Sequence, residues 1–310
     1  MPCGRFVKKA IGAGVLVLLG LVPALAAQVP VRVVASFSIL GDLVAQVGGD
    51  RVAVTGLVRP DADAHGYTPA PSDARTLAAA DLVVVNGLGL EGWIDRLIQA
   101  SGAKAPLVVA SSGVKPIEEE GDAHTHDEPA GHGHHSDPHA WQSIANTKIY
   151  VGNIRDGLAK VDPEGAATYA ANAAAYLSKL DALDGEVRAA IAGIPPEHRR
   201  IITTHDAFGY FSAAYGLTFI APQGVSTDSE ASPRDVARII RQIRRDKIPA
   251  VFLENIADPR LMQQIARESG AVIGGKVYSD ALSAPDGPAP TYLAMMRNNL
   301  AAFKTALNKR

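Results

Sequence analysis

The chain has 310 residues, of which 47% are hydrophobic and 20% charged, and its formal net charge is −2 with neutral histidines. This apolar content is enough for packed cores and excludes a largely disordered chain, and the mildly acidic balance argues against nucleic-acid binding, which needs a basic surface. Cys3 is the only cysteine, so a transition metal would have to be held by nitrogen and oxygen ligands rather than by thiolates.

Residues 1–27 have the pattern of a secretory signal peptide. Three basic residues are followed by an apolar run over 10–22 and by an A-x-A cleavage pattern at 24–26. The alternative is an uncleaved membrane anchor, but the apolar run is short for a span of roughly 20 residues. Cys3 precedes the apolar run, so we expect no lipid-modified cysteine. We predict export to the periplasm and a mature chain long enough for two domains of about 150 residues each.

Short apolar runs alternate with helical segments in the first part of the mature chain. The runs lack polar alternation, which is typical of parallel strands covered by helices on both faces. The predicted strands are 31–37, 52–58, 82–86 and 107–110, with helices at 39–47 and 71–80. We therefore predict an N-terminal α/β lobe over residues 28–160.

The same alternation returns over residues 195–310, which we predict to form a C-terminal α/β lobe. Ser232, Pro233 and Asp235 have the pattern of a capped helix start, and the following residues place isoleucines on one face. The predicted strands are 200–204, 217–220, 251–253 and 271–277, and the other helices are 206–215, 258–269 and 292–307.

Residues 161–194 are predicted to connect the two lobes. The stretch 163–192 is rich in Ala, Leu, Glu, Asp and Lys, most of which are strong helix formers, and has no internal proline. We expect one long, stiff helix; the alternative is two shorter helices that break near 181–184. The fold class is then α/β, with two similar lobes, each a mostly parallel sheet flanked by helices, joined by a long rigid connector helix.

A His-rich segment covers residues 122–137. Its other residues are small, polar or acidic and cannot build a packed core, so we expect a mobile surface loop. Imidazoles at this density could collect zinc at low affinity; the alternative is a tether with no role of its own. The histidines in this segment are His124, His126, His132, His134 and His135.

Four other residues carry the chemistry that the sequence suggests: His65, His139, His205 and Asp280. His65, His205 and Asp280 come shortly after predicted parallel strands, and the carboxyl edge of such a sheet is where ligands bind. Two of the four lie in each half, so two facing lobes would bring them into one cleft. Three imidazoles and a carboxylate suit Zn²⁺ in tetrahedral geometry. Spacing alone leaves open that each is an ordinary loop residue.

Four short motifs in chain order resemble those of the solute-binding proteins of zinc and manganese ABC transporters. The segment DAHGYTP at 63–69 resembles that family's D-x-H-x-Y-x-P motif, and DPHAW at 137–141 its D-P-H-x-W motif. THDAF at 204–208 and VYSDAL at 277–282 resemble the later histidine and aspartate motifs. A His-rich acidic insertion before the second histidine is similar to the zinc-type members.

The resemblance implies that His65, His139, His205 and Asp280 are the metal ligands. Manganese-type members commonly have a carboxylate where this chain has His205, so the resemblance favours Zn(II) over Mn(II). Three acids are candidates for a substitute oxygen ligand, with solvated loop or cap acids as the alternative, namely Asp228, Glu230 and Glu254. Three further residues are candidates for orienting the imidazoles, namely Asp63, Asp206 and Tyr67.

The expected function is capture of Zn(II) outside the cytoplasmic membrane and delivery to an ABC permease of the inner membrane. We expect a monomer that is not an enzyme and binds no nucleic acid, with a periplasmic zinc chaperone as a possible partner of the His-rich segment. The alternatives are a manganese-binding member of the same family, a zinc hydrolase with three histidines and an open water position, and a surface adhesin. No H-E-x-x-H motif supports the hydrolase.

Overall fold

The computed structural model describes residues 29–118 and 136–308, together with Met1 and Gly4. Apart from those two residues, the predicted signal peptide lies outside the described residues, as do all five histidines of the His-rich segment. Within the described part of the chain, no helix is both long enough and apolar enough to span a bilayer.

The first lobe is built on four parallel strands in the order β2-β1-β3-β4. Val33 and Val34 of β1 pair with the start of β3 and are almost fully buried, because helices cover both faces of the sheet. The strands are β1 (Val31–Phe37), β2 (Val52–Val58), β3 (Leu82–Val85) and β4 (Leu107–Val109). The helices are α1 (Ser38–Gly48), α2 (Pro71–Ala78), α3 (Ile94–Ser101) and α4 (Ile144–Val161).

The second lobe repeats this plan with a sheet of order β6-β5-β7-β8, also parallel. Ser232 caps α7 as the sequence predicts, since its side chain accepts a hydrogen bond from the Asp235 backbone N–H. The strands are β5 (Arg200–Ile202), β6 (Thr218–Ile220), β7 (Ala250–Glu254) and β8 (Val272–Val277). The helices are α6 (Gly209–Tyr215), α7 (Pro233–Asp246), α8 (Arg260–Ser269) and α9 (Tyr292–Leu307).

One uninterrupted helix, α5 (Ala166–Ala192, 27 residues), joins the two halves of the chain. It is about 40 Å long at 1.5 Å per residue, so the alternative of a break near 181–184 is wrong. Every third or fourth side chain is buried, and this stripe packs against α1 and α4 of the first lobe and α6 and α9 of the second. The two-lobe α/β class is thus confirmed, while the proposed domain boundaries at 160 and 194 stay predictions.

The main apolar core extends through both lobes. It includes Val33 and Leu82 near the first sheet, Leu180 of α5, and Phe252 and Phe303 of the second half. A smaller core lies between α7, α8 and the outer side of the second sheet. Helices α5 and α9 pack against elements of both lobes, so one continuous core joins the two halves of the cleft.

Two glycines of α4 give a matched test of how this helix packs on the first sheet. A Cβ on Gly157 would lie 2.3 Å from Val108 Cγ2, whereas a Cβ on Gly152 would meet nothing within 4 Å. We expect Gly157→Ala to destabilise the protein by about 1–3 kcal/mol, because the β-branched valine cannot move aside. Gly152→Ala should stabilise it by about 0.5–1 kcal/mol through helix propensity. Urea unfolding measures both; equal stabilisation by the two variants would contradict this packing.

Candidate metal centre

The four predicted residues meet in the cleft between the two lobes. One ligand atom from each of His65, His139, His205 and Asp280 can be chosen so that all four lie within 4.8 Å of one another. The Nε2 atom of His139 is 3.1 Å from Nε2 of His65 and 3.4 Å from Nε2 of His205. All three imidazoles therefore direct the same ring nitrogen to a common point.

The Asp280 carboxylate completes this group. Its Oδ2 atom lies 3.1 Å from His205 Nε2 and 3.4 Å from His65 Nε2, and its Oδ1 atom lies 3.5 Å from His139 Nε2. A tetrahedral ion with ligands at roughly 2.0–2.2 Å separates those ligands by about 3.3–3.6 Å. Five of the six spacings lie between 3.1 and 3.5 Å when both oxygens of Asp280 are considered, and the four chosen ligand atoms lie within 4.8 Å of one another, so the four side chains can surround one ion.

Strand ends bring three of the four residues to this place. His205 and Asp280 follow β5 and β8 by three residues each, and His65 lies in the loop after β2. His139 instead precedes a single 3-10 turn over Ala140–Gln142. This turn also fixes the second lobe, because Trp141 Nε1 and Gln142 Nε2 both donate to the carbonyl oxygen next to Asp280, that of Ser279, at 2.9 and 2.8 Å.

The centre is almost sealed from water. The side chains of His139, His205 and Asp280 are 0% exposed and that of His65 is 4% exposed. Both carboxylate oxygens of Asp280 are buried and have no hydrogen-bond partner among the described residues. Burying a carboxylate without a partner is costly unless a cation balances it. This orphaned carboxylate therefore fits a site for a divalent cation.

Two buried carboxylates orient the imidazoles from behind. His139 Nδ1 donates to Asp137 Oδ1 at 2.8 Å, and His205 Nδ1 donates to Glu254 Oε2 at 2.5 Å. A proton committed to Nδ1 leaves the lone pair of Nε2 facing the centre, which is the tautomer that a metal needs.

Glu254 is itself held by three donors. Its Oε1 atom accepts the backbone N–H groups of Thr204 and His205, and its Oε2 atom also accepts the hydroxyl of Ser279. Its side chain is 0% exposed. The alternative that Glu254 is a solvated acid is wrong, because the residue ends the buried strand β7. Its carboxylate contacts Nδ1 of His205, on the side of the ring that faces away from the four converging ligand atoms.

The residues predicted to orient the imidazoles have other partners. Tyr67 donates its hydroxyl to Asp73, and an orienting role for it stays a prediction. Asp63 accepts the backbone N–H of His65 and thus shapes the loop without touching the ring. Asp206 is exposed, and its backbone N–H donates to the Gly224 carbonyl. Asp228 and Glu230 are also exposed and do not belong to the converging group.

Sequence reasoning missed Asp137 as an orienting residue, although it lies in the quoted DPH motif. The close approach of the second lobe depends on a glycine here. A Cβ on Gly209, the first residue of α6, would lie 2.5 Å from Asp137 Oδ2. The hydroxyl of Tyr210 donates to the Asp137 carbonyl at 3.1 Å. The residue that fixes His139 is thus itself packed against the second lobe.

Charges in the metal-free centre stabilise protonated imidazoles. Burial disfavours the charged ring of His139, but the negative charge of Asp280 and the hydrogen bond to Asp137 outweigh it and raise the pKa to about 9. Burial acts the same way on His205, and Glu254 and Asp280 together raise its pKa. Burial alone would raise the pKa of Asp280, but the charges of His205 and His139 lower it well below its usual range.

A cavity of about 590 Å³ lies beside the centre and is open to solvent. His65, the one ligand with an exposed edge, lies at its inner end. Its walls include Tyr67 and Trp93 of the first lobe and Asp228 of the second. Of the four ligands, His65 is therefore the one that an ion in this cavity would meet first.

The family comparison identifies the kind of protein that carries this cage. The profile described as "ZnuA: Zinc-uptake complex component A periplasmic" matches residues 33–306. The chain belongs to this family. Family membership makes it a metal-binding solute-binding protein of an ABC transporter, as the four motifs indicated.

Individual relatives cover nearly the whole chain but carry different metals in their names. The manganese-binding lipoprotein MntA of Halalkalibacterium halodurans is 35% identical over 279 residues, which is 90% of this chain and 89% of MntA. The iron-binding protein YfeA of Yersinia pestis is 35% identical over 268 residues, 86% of this chain and 82% of YfeA. The solved structure of the periplasmic zinc-binding protein TroA from Treponema pallidum has a TM-score of 0.81 at 29% identity and covers 90% of this chain and 100% of TroA.

The hydrogen bond behind His205 gives a direct test of the centre. We expect Glu254→Gln to weaken metal binding by about 10- to 100-fold, because the amide accepts the imidazole proton less strongly and one of its two ends can no longer accept hydrogen bonds. Competition with a chelator of known affinity measures the change. Glu230→Gln is the matched control, since this exposed glutamate lies on the same lobe outside the cage. Parent-like affinity in Glu254→Gln would contradict the assigned role.

Proposed function

We propose that this protein captures Zn²⁺ outside the cytoplasmic membrane and delivers it to an ABC permease of the inner membrane. The observation that carries the proposal is the buried Asp280 carboxylate, which has no hydrogen-bond partner in the described part of the chain and faces three imidazole Nε2 atoms. His65, His139, His205 and Asp280 are the proposed ligands. The family's place in metal transport supports the direction of the transfer.

Zinc is favoured by the composition of the donor set. Imidazole nitrogen suits Zn²⁺, whereas Mn²⁺ suits carboxylate, carbonyl and water oxygens. The four donors converge closely enough to surround one ion, and zinc bound by four protein ligands usually has tetrahedral geometry. The zinc-binding TroA and the family description point the same way.

Manganese is the second candidate, and it rests on a specific observation. MntA is named as a manganese-binding protein, and YfeA as an iron-binding one, at 35% identity each. Both oxygens of Asp280 face the centre, so a bidentate carboxylate could serve an ion that needs more ligands. Direct competition between Zn²⁺ and Mn²⁺ in one titration separates the two candidates.

Capture exchanges a proton for the ion at His139. In the metal-free protein, the Nδ1–H group of His139 donates to Asp137, and Nε2 holds a second proton beside Asp280. The incoming ion takes that Nε2 position and releases the proton to solvent, while the Nδ1 hydrogen bond stays in place. Asp280 then balances the charge of the ion in place of the charge of the imidazolium.

Release would require the permease to disturb the cleft. The shared packing of α5 and α9 leaves the lobes little freedom to separate, so we propose only small movements on binding. Asp280 is the proposed labile ligand, because it is the one carboxylate among imidazoles. Four converging protein donors support a carrier, since a catalytic zinc keeps an open position for water.

The proposed location is the periplasm, with residues 1–27 as a cleaved signal peptide, and the proposed state is a monomer. A location outside the cytoplasm follows the family, while some relatives, such as MntA, are named lipoproteins. Fractionation of cells together with mass measurement of the purified chain distinguishes cleavage before Gln28 from a lipid-modified or uncleaved form. Sedimentation analysis at micromolar concentration tests the monomer.

Removal of single ligands tests the proposed cage. We expect the parent to bind one Zn²⁺ in the cleft, and both His205→Ala and Asp280→Ala to weaken that binding by at least about 100-fold, because each leaves buried partners without a charge balance. Isothermal titration with a competing chelator measures the affinities. His198→Ala is the matched control, since His198 precedes β5, donates from Nδ1 to the Leu307 carbonyl and does not belong to the converging group. Unchanged zinc affinity in both ligand variants would remove the site.

The proton exchange predicts a pH dependence with a definite sign. Because the pKa of His139 is about 9 in the metal-free protein, a proton must leave on binding at any lower pH. The apparent zinc affinity should fall by about tenfold for each pH unit below 9 and each proton displaced. Titration between pH 6.5 and 8.5, in two buffers of different ionisation heat, counts the protons. An affinity that does not change over this range would contradict the exchange at Nε2.

The His-rich segment is proposed to collect zinc beside the cleft and to accept it from a periplasmic chaperone. At limiting zinc, replacing its five histidines by asparagine at constant length should slow loading of the cleft without changing its final stoichiometry. A stopped-flow comparison with the parent measures the rates. Equal rates would make the segment an inert tether. The histidines to be replaced are His124, His126, His132, His134 and His135.

A further inference from the structure

A second set of contacts joins the two lobes near the cage, around the exposed residue Asp61. The backbone N–H of Asp61 donates to the Leu282 carbonyl at 2.9 Å. Its Oδ1 atom accepts the side-chain amide of Asn255 at 3.0 Å, and its Oδ2 atom accepts the backbone N–H of Ala284 at 3.3 Å. One residue of the first lobe thus makes three hydrogen bonds to two separate segments of the second. We call this group the Asp61 clasp.

The backbone of Asp61 is bent to make these contacts. Its φ angle is 55°, in the left-handed region that favours glycine, and only Leu88 and Lys247 share this feature among the non-glycine residues of the described chain. Aspartate tolerates this region better than most residues. The bend aims both the N–H group and the carboxylate of Asp61 at the second lobe.

The partners of the clasp flank the metal ligands. Asp61 lies four residues before His65, while Leu282 and Ala284 lie two and four residues after Asp280. The other partner, Asn255, follows Glu254, the residue that orients His205. The clasp therefore ties the loop of a first-lobe ligand to both segments that position the second-lobe ligands.

The residues that contact the two flanks of Asp280 differ in their exposure to water. On one side, the Ser279 carbonyl accepts buried hydrogen bonds from Trp141 and Gln142. On the other side, Asp61 is exposed, so water can replace its hydrogen bonds one at a time. The side-chain hydrogen bonds of the Asp61 clasp can therefore break while the buried contacts of Ser279 remain.

We propose that Asp61 is a positioning residue that holds the His65 and Asp280 loops together and so slows dissociation of the bound ion. The inference rests on the proposed function, because it takes the cage to be a metal site. The ion and the clasp bridge the same two loops. An intact clasp therefore keeps the ligands in place when one ligand–metal bond breaks. That ligand then rebinds the ion faster than the ion dissociates.

Two substitutions at Asp61 and one elsewhere test this role. Asp61→Gly removes both side-chain hydrogen bonds but keeps the N–H bond and suits the left-handed backbone, and Asp61→Asn keeps one acceptor oxygen. Lys247→Gly is the matched control, since Lys247 is also left-handed but caps α7 away from the cleft. The measurement is the rate at which an excess of a fluorescent chelator withdraws Zn²⁺ from the loaded full chain.

We expect Asp61→Gly to release Zn²⁺ about 10-fold or more faster than the parent, Asp61→Asn to fall between them, and Lys247→Gly to match the parent. The unfolding midpoint of the metal-free protein should be the same in the parent and in Asp61→Gly. A release rate in Asp61→Gly equal to that of the control overturns the role. So does a metal-free midpoint that falls as release accelerates, because that would indicate general destabilisation.

The parent protein separates this inference from the proposed function. If the parent binds Mn²⁺ but not Zn²⁺, the zinc assignment fails and the same rates measured with Mn²⁺ still decide the role of Asp61. If it binds neither ion, the proposed function and this inference fail together. If it binds an ion that Asp61→Gly releases no faster, only this inference fails.

Discussion

The arrangement of this protein depends on one buried charge. Asp280 is fully buried, its two oxygens have no hydrogen-bond partner among the described residues, and three imidazole Nε2 atoms lie 3.1–3.5 Å from them. Such a carboxylate needs a positive partner, which is either a protonated imidazole or a metal ion. The raised pKa of His139 and the lowered pKa of Asp280 express the first possibility, and the metal capture that we propose exchanges the first for the second.

The rest of the structure keeps that charge in place. Asp137 and Glu254 commit the Nδ1 protons of two ligands, so the imidazoles do not need to change tautomer when the ion arrives. The long helix α5 packs against both lobes, and the buried hydrogen bonds to Ser279 fix one flank of Asp280. The solvent-exposed features of the cleft are the cavity beside His65 and the Asp61 clasp that joins the lobes.

Much of the fold could be predicted because its strands are continuous apolar runs. The strands β1 and β2 and the helix α9 have the predicted bounds. Helices α3 and α4 were not predicted, since α4 contains two glycines and several β-branched residues, which weaken a propensity signal even though its buried residues follow a helical period. The convergence of four distant residues followed from strand topology and the family motifs. The carboxylates that hydrogen-bond to these imidazoles could not be predicted in the same way. Asp137 lies 2 residues from His139, but Glu254 lies 49 residues from His205, and sequence spacing does not predict a contact at that separation.

The proposed metal site is tetrahedral and rich in nitrogen ligands. Zinc X-ray absorption spectroscopy is the most direct measurement of both properties. The protein, with the five histidines of the His-rich segment replaced by asparagine, is loaded with one equivalent of Zn²⁺. We expect the spectrum of four-coordinate zinc, with three imidazole nitrogens and one carboxylate oxygen at metal–ligand distances of roughly 2.0–2.2 Å. A six-coordinate ion with a mostly aqueous shell, or no bound zinc at all, would contradict it.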